Sequence, residues 1–490
     1  MNRTEIQSFQ WWLSNDKNVW TATFWNAKNI EYRKNSSYIE LNKQAVDAFN
    51  TSNKKPVSLQ YWYNWGTITT DLVAFCSDGS VYTSTWVQWT VTGWVVTTIE
   101  ANSVKYIIWP QRLYSFDWIS TYTLLETFTN STTTRPVINF NGDLIIWDWN
   151  QVLRYNADWT MEEYVSGSNL QVIWDLDGNV QALTYVWSTI YVWCNDGMNT
   201  ILYLWDWITW AISQTIRYTD KPVRNVALLW NQHIWWSNKS DSSIRQVMVG
   251  EWYSVQTYAK SDYPDYPITT DYNNDNNRLA LADDTTASVN AIETIADIVY
   301  LPWIWSIYWF GKYYPSQNFS INREFAFTGT YVTCMTSGAT TPSWYDAWWV
   351  IAFACLDGST YKVKLINLWA DGLAWLWVTY ASEWEIESME YLSPSFSVAE
   401  NNKKMILSWY LPHSSTSIEV YYKMDRWSYT LAKTINTTDF WTGFKTTEIP
   451  IRWSWSTLQF KFKLKTTNNS YTPQLSMGII NLSETVWNSL

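Results

Sequence analysis

The chain has 490 residues and a formal net charge of −11 at pH 7, and its basic residues form no dense block. A chain of this length can hold two or more domains with cores of their own, and its acidic balance argues against broad binding of nucleic acid. No run of about 18 apolar residues predicts a membrane span. The first residues, Met1 to Ile6, lack the basic and then apolar layout of a signal peptide. We therefore expect a soluble protein made in a cytoplasm, with no membrane and no nucleic acid among its partners.

The balance of tryptophan and glycine is the most unusual property of the sequence. It contains 40 Trp and only 15 Gly, whereas glycine alone makes up about 7% of an average protein. A genome that reads the codon UGA as glycine would give this imbalance if UGA were translated as tryptophan. Pairs such as Asp148-Trp149 and Asp158-Trp159 also stand where Asp-Gly turns are expected. We hypothesise that most Trp letters are glycines in the native protein. The alternative is a truly Trp-rich protein whose exposed indoles form platforms for sugars.

The first 55 residues are predicted to form an irregular lead-in segment. Trp12, Trp20 and Trp25 interrupt it, and the segment reads as an ordinary turn-rich stretch once these letters are taken as glycine. Residues 37–41 alternate apolar and polar side chains, which is typical of a half-buried strand. We expect turns and short strands here, and no strong long helix.

Strand patterns recur roughly every 8–12 residues between about Val57 and Tyr391, and this spacing predicts an all-β fold. Residues 72–82 and 351–361, near the two ends of the region, are near copies of a strand, an Asp-Gly turn and a strand. Units of roughly 40–50 residues with several short strands are typical of a β-propeller. We predict a six- or seven-bladed β-propeller over residues 56–391. The predicted blades lie near residues 57–100, 101–135, 136–178, 179–218, 219–265, 285–335 and 345–390.

A short unit repeats within this region as an apolar strand, a break and a second strand. The first break is Gly142 in one copy but Trp187 and Trp230 in the two copies that follow. Glycine and tryptophan do not replace each other in a tight turn, because glycine tolerates a positive φ and tryptophan does not. If the Trp letters are retained, we expect strain or unusual exposure at Trp159, Trp187, Trp230 and Trp427.

The last hundred residues show a cleaner two-residue alternation. In residues 458–466 the apolar Leu458, Phe460, Phe462 and Leu464 alternate with Gln459, Lys461, Lys463 and Lys465. Such alternation indicates a strand with one face on a core and the other in water, and exposed lysines discourage aggregation at a sheet edge. We predict a separate antiparallel β-sandwich over residues 392–490.

Few residues suggest chemistry. His233 lies inside a repeated strand and His413 follows Pro412 in a predicted loop, and a Ser-His-Asp or Cys-His site would need one of them. Residues 175–179 resemble part of a calcium loop but lack the remaining ligands, so a hairpin turn is the favoured interpretation. No glycine-rich phosphate loop is followed by a helix. We assign no catalytic, cofactor-binding or metal-binding residues, and we expect no enzyme and no cofactor. A glycosidase pair stays open, because carboxylates are plentiful and no pair stands out.

The four cysteines, Cys76, Cys194, Cys334 and Cys355, are scattered and lack the spacing of a zinc ribbon. Buried free thiols are the favoured interpretation. A disulfide between Cys334 and Cys355 stays open, since it requires only that their strands are adjacent.

Three C-terminal segments carry a family resemblance. Residues 418–425, 458–466 and 472–475 are similar to the terminal β-domain of virion structural proteins of tailed bacteriophages, where such a domain often follows a propeller-like region. Residues 12–16, with Trp12 read as glycine, resemble the lead-in of these proteins. The resemblance implies assembly into the tail, neck or fibre region, with no catalytic residues to carry over. It also implies other virion proteins as partners, a homo-oligomer or ring assembly, and localisation in the virion after synthesis in the host cytoplasm.

These observations together predict a non-enzymatic docking scaffold of a bacteriophage virion, and phages that read UGA as glycine are a natural source of the Trp excess. The alternative is a glycan-binding or glycan-cleaving β-propeller at a cell surface or fibre tip, with a host-surface glycan as its partner.

Overall fold

The structure is a computed structural model of the whole chain. It describes residues 2–5, 12–13, 23–28, 30–31, 38–41, 44–64, 69–83, 88–90, 93–116, 121–132, 135–155, 170–176, 178–196, 200–206, 211–218, 223–229, 232–238, 245–251, 254–260, 293–295, 298–303, 306–311, 320–326, 332–338, 350–367, 380–388, 391–392, 403–425, 427–436, 444–451 and 457–482.

Every regular element in this described part is a β-strand, so the all-β prediction is confirmed. No helix in the same residues is long and apolar enough to cross a membrane. The first six strands are β1 (Asn2–Glu5), β2 (Trp12–Leu13), β3 (Thr23–Lys28), β4 (Ile30–Glu31), β5 (Tyr38–Leu41) and β6 (Val46–Ser52).

The middle of the chain forms small antiparallel units, each built from consecutive strands. The first three units are β7 (Pro56–Asn64), β8 (Thr69–Cys76), β9 (Ser80–Thr83) and β10 (Gln88–Thr90); β11 (Thr97–Ala101), β12 (Val104–Ile108), β13 (Arg112–Phe116) and β14 (Tyr122–Thr127); and β15 (Val137–Phe140), β16 (Asp143–Asp148), β17 (Gln151–Tyr155) and β18 (Leu170–Asp175). The next two are β19 (Asn179–Val186), β20 (Thr189–Asn195), β21 (Thr200–Asp206) and β22 (Ala211–Tyr218); and β23 (Val223–Leu229), β24 (Gln232–Asn238), β25 (Arg245–Glu251) and β26 (Ser254–Lys260).

Two further units follow the same pattern with a difference at their outer strands. The strands β27 (Glu293–Ile295), β28 (Ile298–Trp303), β29 (Ser306–Gly311) and β30 (Ser320–Ala326) pair consecutively, and β30 also meets β3 in parallel. The last unit contains β31 (Val332–Gly338), β32 (Val350–Asp357) and β33 (Thr360–Asn367), and its fourth strand is β6 from the start of the chain. This non-local fourth strand closes the series of units.

The units follow one another around a closed circuit, which we call the ring. Each first strand contacts the first strand of the next unit, and β31 contacts β7. Hydrophobic clusters span neighbouring units, as in the cluster that joins Trp62 and Phe75 to Ile107 and Tyr114. Another joins Leu72 of the first unit to Cys334 of the last. The near-copy hairpins predicted from the sequence are thus neighbours across the closure. A four-stranded sheet cannot bury its own faces, so stacking on both sides supplies its core.

Polar contacts between first strands strengthen the same seams. Ser58 Oγ lies 2.7 Å from Thr98 Oγ1, and Gln60 donates to the carbonyl of Thr98 at 3.1 Å. At the next seam, Asn139 of the third unit donates to the carbonyl of Glu100 of the second at 3.2 Å. These bonds pair polar groups of neighbouring units, and the Ser58–Thr98 pair is buried, where unpaired groups would be costly.

Ion pairs join the closing strand β6 to its neighbour β33. Asp47 on β6 lies 2.5 Å from Lys364 Nζ and 3.0 Å from Lys362 Nζ, and Asp357 also contacts both lysines. Lys364 is buried, so its two carboxylate partners offset the cost of burying its charge.

The remaining strands form two facing sheets, which we call the C-terminal module. They are β34 (Glu383–Ser388), β35 (Tyr391–Leu392), β36 (Lys403–Tyr410), β37 (Thr416–Met424), β38 (Thr430–Asn436), β39 (Lys445–Ile451), β40 (Thr457–Thr466) and β41 (Gln474–Leu482). The first sheet has the strand order β39-β36-β41-β5-β4, and β1 also pairs with β41. The second sheet continues from β30 of the ring in the order β3-β34-β40-β37-β38, with β2 paired to β3 and β35 paired to β40. Side chains of both sheets share one hydrophobic cluster, including Leu407 and Leu475 from the first and Val420 and Phe460 from the second.

The predicted alternation of residues 458–466 is correct for its apolar face, but the lysine face is not at a sheet edge. Strand β40 lies between β34 and β37. Lys461 contacts Glu385 and Glu387, and Lys463 contacts Glu383 and Glu385, at 2.6–3.2 Å. The lysines therefore form a cross-strand ladder of ion pairs instead of guarding an edge.

The domain limits predicted at residues 55 and 391 stay predictions, but strand pairing crosses both of them. Strand β6 pairs with β33, and β34 pairs with β40. Two predicted blade limits differ from the limits of the observed units, since residues 97–101 open the second unit and residues 332–338 open the last one. Inner strands of successive units look alike in sequence, so a limit is easily shifted by one strand.

Candidate functional site

The two histidines lie in different parts of the protein. His233 is in β24 with 5% of its surface exposed, and its Nε2 lies 3.1 Å from Thr184 Oγ1 of the neighbouring unit. Tyr191 and Trp193 hold the imidazole at ring-centroid distances of 4.3 and 5.3 Å. Burial lowers the pKa of His233 to about 3, so the ring is neutral at pH 7. His233 is a seam residue between two units, which agrees with its predicted structural role.

Residues 175–179 do not form the predicted hairpin turn. Asp175 ends β18 and Asn179 begins β19, so the stretch connects two successive units. Gly178 has φ +99, and a Cβ there would lie 2.6 Å from the carbonyl oxygen of Asn195. The glycine is needed for this close approach, and the described residues contain no group of three or more His, Cys, Asp or Glu suited to a metal.

All four cysteines are buried free thiols. Cys334 and Cys355 do lie on adjacent strands, but Cys334 pairs with Ala354 and Cys355 with Val332. The disulfide between Cys334 and Cys355, which the sequence left undecided, is therefore not formed in this register. Burial raises the pKa of both thiols to about 12.

Two exposed tryptophans occupy hairpin turns with left-handed backbone. Trp149, between the paired Asp148 and Gln151, has φ +62, and Trp187, between Val186 and Thr189, has φ +55. Trp187 is 85% exposed. The sequence predicted strain and exposure at Trp187. Trp159 and Trp230 lie outside the described residues.

Trp427 has the predicted exposure, but the positive φ lies at a different residue. Trp427 is 78% exposed, but the positive φ of that turn, +47, belongs to Asp425. The amide of Trp427 donates to the carbonyl of Met424 at 2.9 Å.

A cluster of half-buried and exposed aromatic side chains lies at one end of the C-terminal module. We call it the aromatic end, and it comprises Tyr410, His413, Phe444 and Tyr471. Tyr410 ends β36 opposite Gln474, and Phe444 directly precedes the strand residue Lys445, which pairs with Trp409. The pairing register therefore brings all four side chains to the same end of the sheet.

The aromatic end contains two ring pairs. His413 and Tyr471 are stacked, with centroids 4.3 Å apart and planes at 4°. Tyr410 and Phe444 have centroids 5.9 Å apart and planes at 42°. Phe444 is 47% exposed and Tyr471 is 38% exposed. Buried Leu411 and Leu475 belong to the core beside them, so the rings extend from a packed layer towards solvent.

Hydrogen bonds fix the two loops that carry His413 and Tyr471. The amide of Ser415 donates to His413 Nδ1 at 3.1 Å, and the amide of Thr467 donates to the carbonyl of Ser415 at 3.0 Å. Since Nδ1 accepts a bond, a neutral His413 carries its proton on Nε2. The loops are thus joined to each other by a main-chain bond as well as by the stacked rings.

Sequence reasoning missed this cluster. It placed His413 in a loop, which is correct, but did not connect it with Tyr471 or Phe444. The available signal was local composition, because residues 411–415 and 467–473 combine aromatic or imidazole rings with Ser, Thr, Asn and Pro and carry no Asp, Glu, Lys or Arg. Loops of that composition are typical of recognition surfaces.

Comparison with known proteins gives likeness in structure only. No family model matches the chain, and no curated protein matches it in sequence. Hydrazine synthase of Kuenenia stuttgartiensis is 8% identical, covers 66% of this chain and 98% of its own, and has a TM-score of 0.46. The Dos1 propeller is 10% identical, with 64% and 93% covered and a TM-score of 0.40. An exo-beta-1,3-galactanase of Phanerochaete chrysosporium is 7% identical, with 72% and 97% covered and a TM-score of 0.26.

Likeness at this level carries no argument about activity. The small antiparallel sheets and the closed series of contacts between their first strands support an all-β fold of β-propeller type. The function of the chain therefore depends on the chemistry of its own residues.

Proposed function

We propose that the chain is a non-enzymatic structural and interaction protein of a bacteriophage virion, acting as a docking scaffold in the tail, neck or fibre region. The observation that carries the proposal is the way one N-terminal segment joins both parts of the molecule. Strand β5 (Tyr38–Leu41) pairs in the C-terminal module, and β6 (Val46–Ser52) closes the ring only a few residues later. A scaffold has to hold its contact surfaces at fixed relative positions, and a shared segment of this kind supports that role.

The same proposal includes a finer description of the fold. Counting β27–β30 and the unit closed by β6 gives a seven-bladed propeller, and the first strands contact one another in chain order until β31 meets β7. The two facing sheets that share one hydrophobic cluster would then form the predicted C-terminal β-sandwich.

Backbone geometry supports the hypothesis that some Trp letters stand for glycine. In the turns at Trp149 and Trp187, the positive φ falls on the first of the two central residues. Gly358 occupies the same position between Asp357 and Thr360, with φ +65. A two-residue hairpin with positive φ only at its first central residue is of type II′, where glycine is the expected residue. We propose glycine at positions 149 and 187 in the native protein.

At other Trp letters the indole ring is buried and its N–H donates a hydrogen bond. Trp193 is buried and donates from Nε1 to Thr184 Oγ1 at 3.4 Å, and Trp409 is buried and donates to Thr447 Oγ1 at 2.9 Å. Burial together with a partner for the N–H is what a true tryptophan requires. We propose that these two are tryptophan in the native protein.

The partners in this proposal are other virion proteins and further copies of the chain in a ring assembly, and the location is the virion. The alternative, a glycan-binding or glycan-cleaving propeller, gains nothing from the galactanase likeness, whose TM-score is 0.26. Glycan binding has independent support from the aromatic end, whereas no described carboxylate pair suggests cleavage.

The test is the protein content of purified phage particles. Peptides of this chain in particles, in stoichiometric amounts with tail or neck proteins, are the expected result. Genes for portal, terminase or tail proteins beside the gene are expected too, and a neighbourhood of sugar-utilisation genes with absence from particles would reject the proposal.

A further inference from the structure

The aromatic end exposes Phe444 and Tyr471 to solvent, with Tyr410 and His413 half-buried beside them. His413 and Tyr471 are stacked with nearly parallel planes, so each ring covers one face of the other, and Tyr471 keeps 38% of its surface exposed. We call this stacked pair the platform. Phe444 contributes a second exposed ring beside Tyr410. None of the four residues is a Trp letter, so their own identities do not depend on which tryptophans are genuine.

The platform is held in position before any ligand arrives. Beyond the bonds at Ser415, the amide of Leu41 donates to Thr472 Oγ1 at 2.8 Å, and the amide of Tyr380 donates to the carbonyl of Asn469 at 2.8 Å. The amide of Ser470 bonds Asn468 Oδ1 at 3.1 Å in a local turn. Ordered rings lose little conformational freedom on binding, and such preorganisation raises affinity.

The polar groups around the rings are neutral. Ser414, Asn468 and Ser470 are exposed beside the platform, and they offer hydroxyl and amide groups that both donate and accept hydrogen bonds. Among the described residues that directly flank Tyr410, His413, Phe444 and Tyr471 in sequence, the one charged side chain is Lys445. A surface built to hold a phosphate, a sulfate or a carboxylate would need more cationic groups than this.

The size of the surface also narrows its partner. A stable protein interface takes roughly 20–30 residues a side, whereas the aromatic end consists of two short loops and one strand start. Sugar rings need less area, because their C–H faces pack on aromatic rings and their hydroxyls bond to amide and hydroxyl groups at the rim. Rigid aromatic contacts with a few polar groups are the usual make-up of small ligand sites.

We propose that the aromatic end binds an uncharged glycan, with sugar rings packed on Tyr471 and Phe444 and their hydroxyls bonded by Asn468, Ser470 and Ser414. This role goes beyond docking within a particle and does not depend on it, since a scaffold and a cell-surface protein would use the same site. It is a binding function without cleavage.

The test uses the full chain on an array of neutral polysaccharides (galactan, glucan, mannan and xylan), with sulfated galactan as a charged comparison. The parent protein is expected to bind at least one neutral polysaccharide. Tyr471→Ala and Phe444→Ala are each expected to weaken that binding by about tenfold, from the loss of one ring contact. Tyr471→Phe is expected to retain most of it, because the platform needs the ring more than the hydroxyl.

Trp427→Ala is the matched control, since Trp427 is an exposed aromatic residue in a different loop of the same module, between β37 and β38. It is expected to bind like the parent, and melting temperatures identify any variant that fails to fold. The proposal is overturned if no neutral polysaccharide binds, if only the sulfated one binds, or if both alanine variants keep the parent affinity. If no polysaccharide binds and the Tyr471→Ala variant is no longer incorporated into particles, the surface is a protein-docking site. That result rejects the glycan proposal and is compatible with the scaffold role.

Discussion

Replacing Trp187 by glycine is expected to stabilise the ring. The residue has φ +55, and a left-handed backbone costs a residue with a Cβ about 1–2 kcal/mol. Glycine removes that cost but loses more chain entropy on folding, by roughly 0.5–1 kcal/mol. The indole is 85% exposed, so its removal sacrifices little burial. The expected net gain for Trp187→Gly is ~0.5–1 kcal/mol.

Three variants separate the backbone from the side chain. Trp187→Ala keeps a Cβ at the same φ, so it is expected to stay within about 0.5 kcal/mol of the parent. Gly358→Trp is the reciprocal change in the equivalent turn, where a Cβ meets nothing within 4 Å. Because space is not limiting there, its expected loss of ~1–2 kcal/mol comes from the backbone alone. Trp193→Gly removes a buried indole and is expected to cost about 3–5 kcal/mol.

The assay is urea unfolding, followed through the transition of the ring, with equal m-values taken as the sign that only stability has changed. A Trp187→Gly midpoint at or below that of Trp187→Ala would refute the reasoning. It would mean that the turn accepts a side chain at positive φ without strain, and the backbone argument for glycine at positions 149 and 187 would be lost.

Three further predictions concern buried and charged groups. Burial lowers the pKa of His233 to about 3, below the unfolded value of about 6.5. The free energy of unfolding therefore decreases as pH falls from about 6.5 towards 3, by ~3 kcal/mol at pH 4. His233→Asn is expected to abolish this contribution in unfolding measured at about pH 7 and pH 4. Arg135 is buried, lies 3.0 Å from Asp148 and donates hydrogen bonds to three carbonyl oxygens. Arg135→Met is expected to lower the free energy of unfolding by about 3–5 kcal/mol, because it leaves Asp148 buried and unpaired. Adding Asp148→Leu is expected to recover part of the loss in the same unfolding assay. Partial burial raises the pKa of Asp47, but hydrogen bonds from Lys364 and Lys362 outweigh it and lower that pKa; the stability it contributes is present above pH about 4 and lost below it, and Asp47→Asn is expected to remove this acid-dependent step in melting temperature. Equal pH profiles for parent and variant would contradict the first and third of these, and a harmless Arg135→Met would contradict the second.

Much of the ring could be predicted from local sequence. The hairpin of residues 72–82 is specified by two apolar runs around Asp78-Gly79, and Gly79 has φ +88 as the turn requires. The repeated copies predicted stacked units because a short sheet with two apolar faces needs neighbours on both sides. These are local patterns, and periodicity and turn chemistry record them directly.

The partners of strands could not be predicted in the same way. Strand β6 pairs with β33 about 310 residues later in the chain, and nothing local in Val46–Ser52 names its partner. The prediction at Asp177-Gly178 has the same limitation. The sequence identified a turn that needs glycine, but it predicted a hairpin where the chain connects two successive units. A positive φ reveals a required conformation and says nothing about which strands the turn connects.

The candidate site was out of reach for a related reason. Tyr410, His413, Phe444 and Tyr471 come from three separate segments, and only the register of β36, β39 and β41 brings them together. The neutral composition of the two loops was visible in the sequence. Their adjacency was not, because it depends on pairing between distant strands.

The most direct test of the account is peptide mass spectrometry of purified phage particles. Peptides of this chain are expected in the particle, with glycine masses at positions 149 and 187 and tryptophan masses at 193 and 409. Absence of the chain from particles would contradict the virion role, and tryptophan masses at 149 and 187 would contradict the recoding.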